Sequence, residues 1–297
     1  MSIQSPESIG IIAAFSKPEA SDLALRLQVH LESLGRTVVL ENSLTQPKPH
    51  ELLAIIVLGG DGLMMRAANM FPDIPLFGIN FGKVGFLAMV EQNDWLVAIN
   101  ALLAGHYQVE DGATLAACVG RGDESLDQGW AINDVVIRGG VRMIDIEVYI
   151  DGHYVNTYPG DGMIVSTARG STAYCMAAGG PILTAGVQGF AIVPISCHSP
   201  IRTPFIVAES ALIELVLATK HDASLILDGR QTAELAEHDL VRVQRGVHQF
   251  RLVTLDSMDF YEGFRTKFNF KIRPDAVPSR LNHPAGTQDF GASGESD

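Results

Sequence analysis

Cysteine is scarce in this 297-residue chain. Cys118, Cys175 and Cys197 are scattered, odd in number and form no C-x-x-C pair. That excludes a disulfide-built scaffold and a thiolate metal site of ordinary spacing, and it suggests a reducing cytosol with structural thiols. Basic residues are also few: 21 Lys and Arg stand against 34 Asp and Glu, a formal net charge of −13. Such a balance argues against duplex nucleic acid or an anionic membrane surface as partner. No apolar run reaches membrane-spanning length. Residues Met1 to Gly10 lack a basic region followed by an apolar core, so no signal peptide is expected. Also missing are G-x-x-x-x-G-K-[ST], H-E-x-x-H, G-x-S-x-G, and a G-x-G-x-x-G after the first apolar run. The commonest phosphate, zinc, serine-hydrolase and dinucleotide signatures are thereby excluded.

What is present begins as an alternation. Ile9 to Phe15 reads as a strand, Ser16-Lys17-Pro18-Glu19 as a capping box, and Ala24, Leu27, Leu31 and Leu34 as one helix face closed by Gly35. Val38 to Leu40, Leu52 to Leu58 and Leu76 to Asn80 are further strands. A helix follows Gly62, and Asn93 is placed to cap another from Asp94 to about Ala104. This rhythm predicts a doubly wound α/β domain over residues 1–105.

After Gly105 short β-rich runs dominate, among them Leu115–Val119, Trp130–Arg138, Ile144–Ile150, Gly162–Thr167 and Ala191–Ile195. Leu212–Ala218, Leu225–Leu227, Val241–Gln244 and Phe250–Leu255 continue the series. One short helix, about Thr172 to Ala178, interrupts them. The expected fold class is therefore α/β plus all-β, the second domain (106–256) being β-sandwich-like. Residues 257–272 are expected to return to the first domain, and 273–297, rich in Pro, Gly, Ser and Asp, to form a disordered tail.

The chemistry concentrates at glycine–aspartate turns. Gly59-Gly60-Asp61-Gly62 follows a β-branched run and opens a helix, a place where bare amides can hold phosphate. A carboxylate in such a cradle makes sense if it meets a metal ion or takes a proton from an attacking hydroxyl; a plain turn capped by Asp61 is the bland alternative. In the β half, Asp161-Gly162 feeds a strand into Arg169-Gly170-Ser171-Thr172-Ala173-Tyr174, whose hydroxyls and amides suit an anion or a ribose. Tyr174 can lie against a base, or in the core. Asn133-Asp134, inside the strand from Trp130 to Arg138, can meet a base edge or a ribose, or be solvated at an edge. Asp228-Gly229 is the weakest of these elements, and a tight turn explains it.

Taken in order, Gly59–Gly62, Gly78-Ile79-Asn80, Gly85-Phe86-Leu87, Asn133-Asp134, Asp161–Tyr174 and Gly179-Gly180-Pro181-Ile182-Leu183 resemble the NAD kinase family, bacterial type. The resemblance implies transfer of the ATP γ-phosphoryl group, with Mg²⁺, to the 2′-hydroxyl of the adenosine ribose of NAD. It implies Asp61 as general base, with Gly62 and its neighbours, Gly60 among them, along the phosphates; Arg66 is a basic candidate for binding the nucleotide. Asn133 and Asp134 would contact the dinucleotide, Asp161 its nicotinamide side, and Thr172, Ala173 and Tyr174 its adenine end, with Ala177 a further nucleotide-binding candidate. It also implies a cytoplasmic homodimer or homotetramer, with polyphosphate as a possible second donor.

Some positions depart from the family pattern. Leu63 stands where Thr is common after GGDG, Thr167-Ala168-Arg169-Gly170 replaces Thr-Pro-Thr-Gly, and Arg230 replaces Gln after Asp228-Gly229. Lys83, Arg169 and Arg202 are the other basic candidates, and a contact from Arg169 to a substrate phosphate is one expectation. Two alternatives stay open on sequence alone: a lipid kinase sharing GGDG, and a non-catalytic NAD-binding protein.

Overall fold

A computed structural model describes residues 8–256 apart from 15, 45–50, 83–84, 123, 185 and 201. The expected return segment, the expected tail and Lys83 lie outside the described residues.

The first part of the chain runs β1 (Ser8–Ala13), α1 (Pro18–Ser33), β2 (Thr37–Leu40), β3 (Leu52–Gly59), α2 (Asp61–Met70), β4 (Leu76–Asn80), β5 (Val90–Glu91) and α3 (Trp95–Leu103). Strands β2, β1, β3 and β4 pair in parallel in that order. Parallel strands need crossovers, and here helices cover both faces. On one face Ala20, Leu23, Leu27 and Leu31 of α1 and Ala98, Ile99 and Leu102 of α3 pack on Ile9, Ile56 and Phe77. On the other, Met64, Ala67 and Ala68 of α2 pack on Ile12, Ile55 and Val57. The doubly wound expectation therefore holds.

Two expected caps are not made. The residue before α1 is Lys17, extended at φ −126°, and no side chain caps the helix. With Pro18 as the first helical residue, Ser16 sits one position too early to reach the open amides. Before α3 a 3-10 turn, Gln92–Asp94, runs into the helix, so Asn93 lies within a turn rather than at the helix mouth.

The second part contributes β6 (Tyr107–Arg121), β7 (Glu124–Ala131), β8 (Asp134–Gly139), β9 (Ile144–Ile150), β10 (His153–Gly160) and β11 (Gly162–Ser166). A 3-10 turn (Arg169–Thr172) and the single-turn α4 (Tyr174–Ala177) follow. The remaining strands are β12 (Gly189–Ile195), β13 (Phe205–Ala208), β14 (Ile213–Leu217), β15 (Ala223–Leu227), β16 (Arg230–Leu235) and β17 (Leu240–Leu255). Six strands of this second part form an antiparallel sheet ordered β13-β12-β11-β8-β15-β16. Its inner face meets β6, β9, β14 and β17 through Leu115, Ile146, Leu215 and Val241 against Val135, Met163, Ile192 and Leu225. Alternation along β9 and β14, buried every second residue, is what such a sandwich requires.

The expected strand from Trp130 to Arg138 is two strands, broken at Ile132 and Asn133. Ile132 turns into the core of the first half beside Leu87, Ala88 and Phe250, which pulls the chain out of line. Conversely, Val241–Gln244 and Phe250–Leu255 are parts of one strand, β17, whose pairing with β6 is interrupted between Arg245 and Gln249. That strand pairs with β14 near its start and meets β4 at Leu252 opposite Leu76, so one 11-stranded sheet runs through both halves.

Candidate active site

The GGDG turn lies where the parallel strands β3 and β4 end, the position at which open α/β sheets take their ligands. A Cβ on Gly59 would stand 2.6 Å from Leu63 Cδ2 and 3.0 Å from Leu63 Cβ, so a larger residue there would push the Leu63 side chain aside. Leu63, the departure from the family pattern, thus packs back onto β3 and the core under α2. Gly60 is extended, and its carbonyl accepts the amides of Leu63 and Met64 at 2.9 and 3.1 Å, which starts the helix. The amides of Asp61 and Gly62 stand in the first turn, where α-helix geometry supplies no intrahelical acceptor.

Asp61 does not cap its own helix. Its carboxylate reaches across to the loop after β4, where Oδ2 accepts the Phe86 amide at 2.6 Å and Oδ1 those of Leu87 and Ala88 at 3.0 and 3.2 Å. Gly85 lies so close that a Cβ would sit 1.9 Å from Oδ1. Nearby, Asn80, 4% exposed, exchanges hydrogen bonds with Gly82 through its side-chain amide, and Lys17 Nζ donates to the Phe81 carbonyl. The glycine of Gly85-Phe86-Leu87 and the asparagine of Gly78-Ile79-Asn80 are thereby explained: they shape the loop that Asp61 holds.

The Asn133 corner is held from two sides. Thr167 donates its amide to the Asn133 carbonyl at 2.9 Å and its hydroxyl to the Ile132 carbonyl at 2.7 Å. Gly170 presses on the same carbonyl, where a Cβ would come within 2.0 Å. Asp134 begins β8, opposite Ser166 on β11. It is 5% exposed, and burial, with the nearby Asp228 charge second, pushes its carboxyl up to about 7.

Asp134, Val136 and Arg138 share one face of β8, because strand side chains alternate. Tyr174 and Cys175 cover this face with Val136, Ile164 and Val193. At the Asp134 end lies Cys175, fully buried, whose thiol burial pushes up to about 11. At the other end Arg138 donates to the Tyr174 hydroxyl, its guanidinium 5.8 Å from the ring centre. Asp161 is exposed at that same end, next to Gly162, which pairs with Arg138. Asn133 and Asp161 are therefore not gathered at a point. They flank opposite ends of a strip that runs from Asp134 to Arg138, about 13 Å for four residue steps at ~3.3 Å each.

Other expected groups have different places. The Ser171 hydroxyl is fully buried and internal, donating to the Ala168 carbonyl at 2.6 Å and accepting the Leu183 amide at 2.9 Å. Thr172 bonds back to the Arg169 carbonyl, while Ala173 is half-buried and Ala177 exposed. Arg169 pairs with Glu110 at 2.9 Å and lies 5.8 Å from the Phe250 ring centre, so its charge already has a partner. Arg66 is paired with Glu41 at 2.8 Å. Arg230 reaches Asn69 of α2 at 3.4 Å. Arg202 is exposed in an open groove of about 860 Å³ beside Cys197 and His198. A second groove, about 490 Å³ between α1 and Trp95, holds none of these residues.

Sequence reasoning missed Arg138 and the reach of Asp228. The signal for Arg138 was its even spacing from Asp134 in an unbroken β pattern, which puts both on one face.

Comparison with known proteins places these elements. The ATP-NAD kinase N-terminal domain matches residues 43–107 and the ATP-NAD kinase C-terminal domain residues 132–255. The NAD kinase of Thermomicrobium roseum is 54% identical over 278 residues, 94% of this chain and 96% of its own. That of Geobacter metallireducens is 40% identical over 223 residues, 73% and 79% of the two chains. Among solved structures, yeast NADH kinase complexed with NADH shares the fold at a TM-score of 0.80 and 20% identity, covering 91% of this chain and 89% of its own. An Archaeoglobus fulgidus NAD kinase in complex with ATP does so at 0.66 and 23%, covering 88% and 96%. With matching domains in both halves and a 54% identical relative along nearly its whole length, this chain belongs to the NAD kinase family.

Proposed function

We propose that the protein transfers the γ-phosphoryl group of ATP to the 2′-hydroxyl of the adenosine ribose of NAD, making NADP. The observation that carries this is the meeting of two loops in one core cluster. Leu87 and Ala88, held by Asp61, pack with Ile132, which leads into Asn133 and Asp134. A carboxylate at a helix start is thus set beside a strip that can take part of a dinucleotide.

The attacking group is the ribose 2′-oxygen. Its bond to the γ-phosphorus forms as the bond from that phosphorus to the β–γ bridging oxygen breaks, and ADP leaves with the electron pair. The hydroxyl proton passes to Asp61. An ionised carboxylate offers about four lone-pair sites. Three are engaged by amides, two on Oδ1 and one on Oδ2, so the proton acceptor is the remaining lone pair of Oδ2. A positioned base of this kind is worth about 10²–10⁴-fold. The amides of Asp61 and Gly62, at the positive end of α2, face the phosphates. Mg²⁺, if it comes with the donor nucleotide, would supply countercharge to the phosphates, which the amides of Asp61 and Gly62 face.

Asn133 and Asp134 bind one part of the acceptor, with Asp134 able to donate a hydrogen bond as a neutral acid near pH 7. Tyr174, with Thr172, Ala173 and Ala177 around it, holds the adenine end; Asp161, at the same end of the strip as the Tyr174 hydroxyl, faces the nicotinamide side of a ligand bent back on itself. The same reading makes the protein a cytoplasmic, homo-oligomeric source of NADP. The test is direct: incubate the purified chain with NAD or NADH, Mg²⁺ and either ATP or polyphosphate, and follow NADP or NADPH. Product with ATP is expected; no product with either donor would overturn the reading.

A further inference from the structure

Asp228 and Gly229 close the hairpin between β15 and β16 as a two-residue turn, with Leu227 opposite Arg230. Their φ angles, 47° and 76°, are those of a type I′ turn, which accounts for Gly229 and for a residue tolerant of the left-handed region. It does not account for a carboxylate. Asn or Gly would close the same turn without burying a charge.

The carboxylate is spent elsewhere. Asp228 Oδ2 accepts the Ile132 amide at 2.8 Å, and Oδ1 accepts those of Asn133 and Asp134 at 2.7 and 3.2 Å. The Asp228 amide in turn donates to the Asp134 carbonyl at 3.1 Å. Burial raises the Asp228 pKa, while the three amides and Arg230 pull it back. One side chain from 95 residues away therefore fixes three consecutive peptide groups where the chain leaves β7 and enters β8. Asp61 does the same to Phe86, Leu87 and Ala88.

We infer that Asp228 is a positioning residue for the dinucleotide acceptor: its carboxylate sets the backbone of Ile132-Asn133-Asp134 so that the Asn133 and Asp134 side chains meet the ligand. The inference rests on the NAD-binding role given above to that corner. Asp228 holds no residue of the GGDG turn and touches that side only through the packing of Ile132 on Leu87 and Ala88, so its direct effect falls on the acceptor. It has a second, electrostatic consequence. The charge that acts on Asp134 is that of Asp228, which raises the Asp134 pKa; the Cys175 thiol across the covering turn is in its turn raised by the Asp134 charge. Removing the Asp228 charge changes how acceptor binding depends on pH.

The experiment compares Asp228→Ala and Asp228→Asn in the full chain. NAD and MgATP are varied separately from about pH 5.5 to 8.5, with Tm measured alongside. For a corner displaced by about 1 Å a loss on the order of 10²-fold is the scale to expect. D228A is expected to raise the NAD KM roughly 10- to 100-fold with the ATP KM within about twofold. D228N keeps one acceptor oxygen, and is expected to raise the NAD KM several-fold and to move the inflection of kcat/KM for NAD to lower pH. A purely structural role would not move that inflection. A folded D228A with unchanged NAD KM, or with both KM values raised alike, would overturn the inference. If D228A fails to fold, an unmoved inflection in D228N overturns it instead. If the wild type binds NAD without turning it over, the kinase reading falls, and the same split between NAD and ATP dissociation constants decides the role of Asp228. If the wild type binds neither nucleotide, both readings fall.

Discussion

The Arg138 guanidinium donates to the hydroxyl of Tyr174 and lies 5.8 Å from the centre of its ring. Both groups stand on the open end of the strip that begins at Asp134. An exposed cation–π contact is worth about 0.5–1 kcal/mol, and a hydrogen bond from a charged donor about 1.5–3 kcal/mol, less where solvent competes. Arg138→Ala is therefore expected to raise the NAD KM about 3- to 10-fold, with kcat little changed. Tyr174→Phe keeps the ring and loses the hydroxyl, so its effect should be smaller. In a double-mutant cycle with R138A and Y174F the two effects should fall short of additive. Full additivity would show that the contact does not set the ring.

A different test separates the base role proposed for Asp61 from its hold on the loop after β4. Asp61→Asn is expected to lower kcat by about 10²–10⁴-fold as the base is lost. It also weakens the hold on Phe86, Leu87 and Ala88, so hydrogen exchange at those amides should quicken. Gly85→Ala leaves the carboxylate in place but drives a methyl into it. That variant is expected to quicken the same amides and to lose activity as well. If G85A keeps full turnover with the loop loosened, the loop is not needed to aim the carboxylate.

Asp134 gives a pH-dependent prediction with a definite sign. Its carboxyl is raised from 3.8 to about 7 in the folded chain. Below about pH 4 folded and unfolded chains both carry the proton; between about 4 and 7 the folded chain holds more of it. The stability so contributed is present at low pH and is lost as pH rises through about 7. Each tenfold difference in proton affinity between the folded and unfolded chains is worth ~1.4 kcal/mol. Asp134→Asn, neutral throughout, should therefore gain on the wild type by a few kcal/mol between about pH 5 and pH 8. Thermal melts at both pH values check this. A pH-independent difference would place the effect in packing instead.

Arg169 is the fourth case. Its guanidinium is bound to Glu110 and lies over Phe250, with the side chain 14% exposed. Arg169→Met is expected to lower stability by about 1 kcal/mol, a Tm change of about 2–4 °C, and to leave the ATP KM within about twofold. A tenfold rise in the ATP KM would restore the phosphate contact that its sequence position suggested.

Much of the parallel half could be read from the chain. The β-branched run before Gly59 and the helical spacing after Pro18 are local signals, and β4 spans Leu76–Asn80, as the pattern predicts. The sandwich was legible where one face is buried, as along β9, and illegible where neither face shows a pattern. His153–Gly160, for example, is mostly polar and half exposed, and it is a strand because β9 pairs with it. The sequence also showed which residues would carry chemistry, but not what holds them. Ser171 looks like an anion ligand until Leu183 is seen to take its oxygen. Asp228 looks like a turn residue because the amides it binds are almost a hundred positions away. Contacts of that range leave no periodicity.

One feature of the sheet bears on how the chain can be cut or exchanged. β17 supplies Phe250, Leu252, Val253 and Leu255 to the clusters on both faces of the parallel strands. A fragment ending at residue 105 would carry the GGDG turn but expose those clusters to water. The two halves are consequently not exchangeable modules. A chimera that takes its first half from a relative must take the matching end of β17 as well, or inherit a cavity beneath the turn it was meant to transplant.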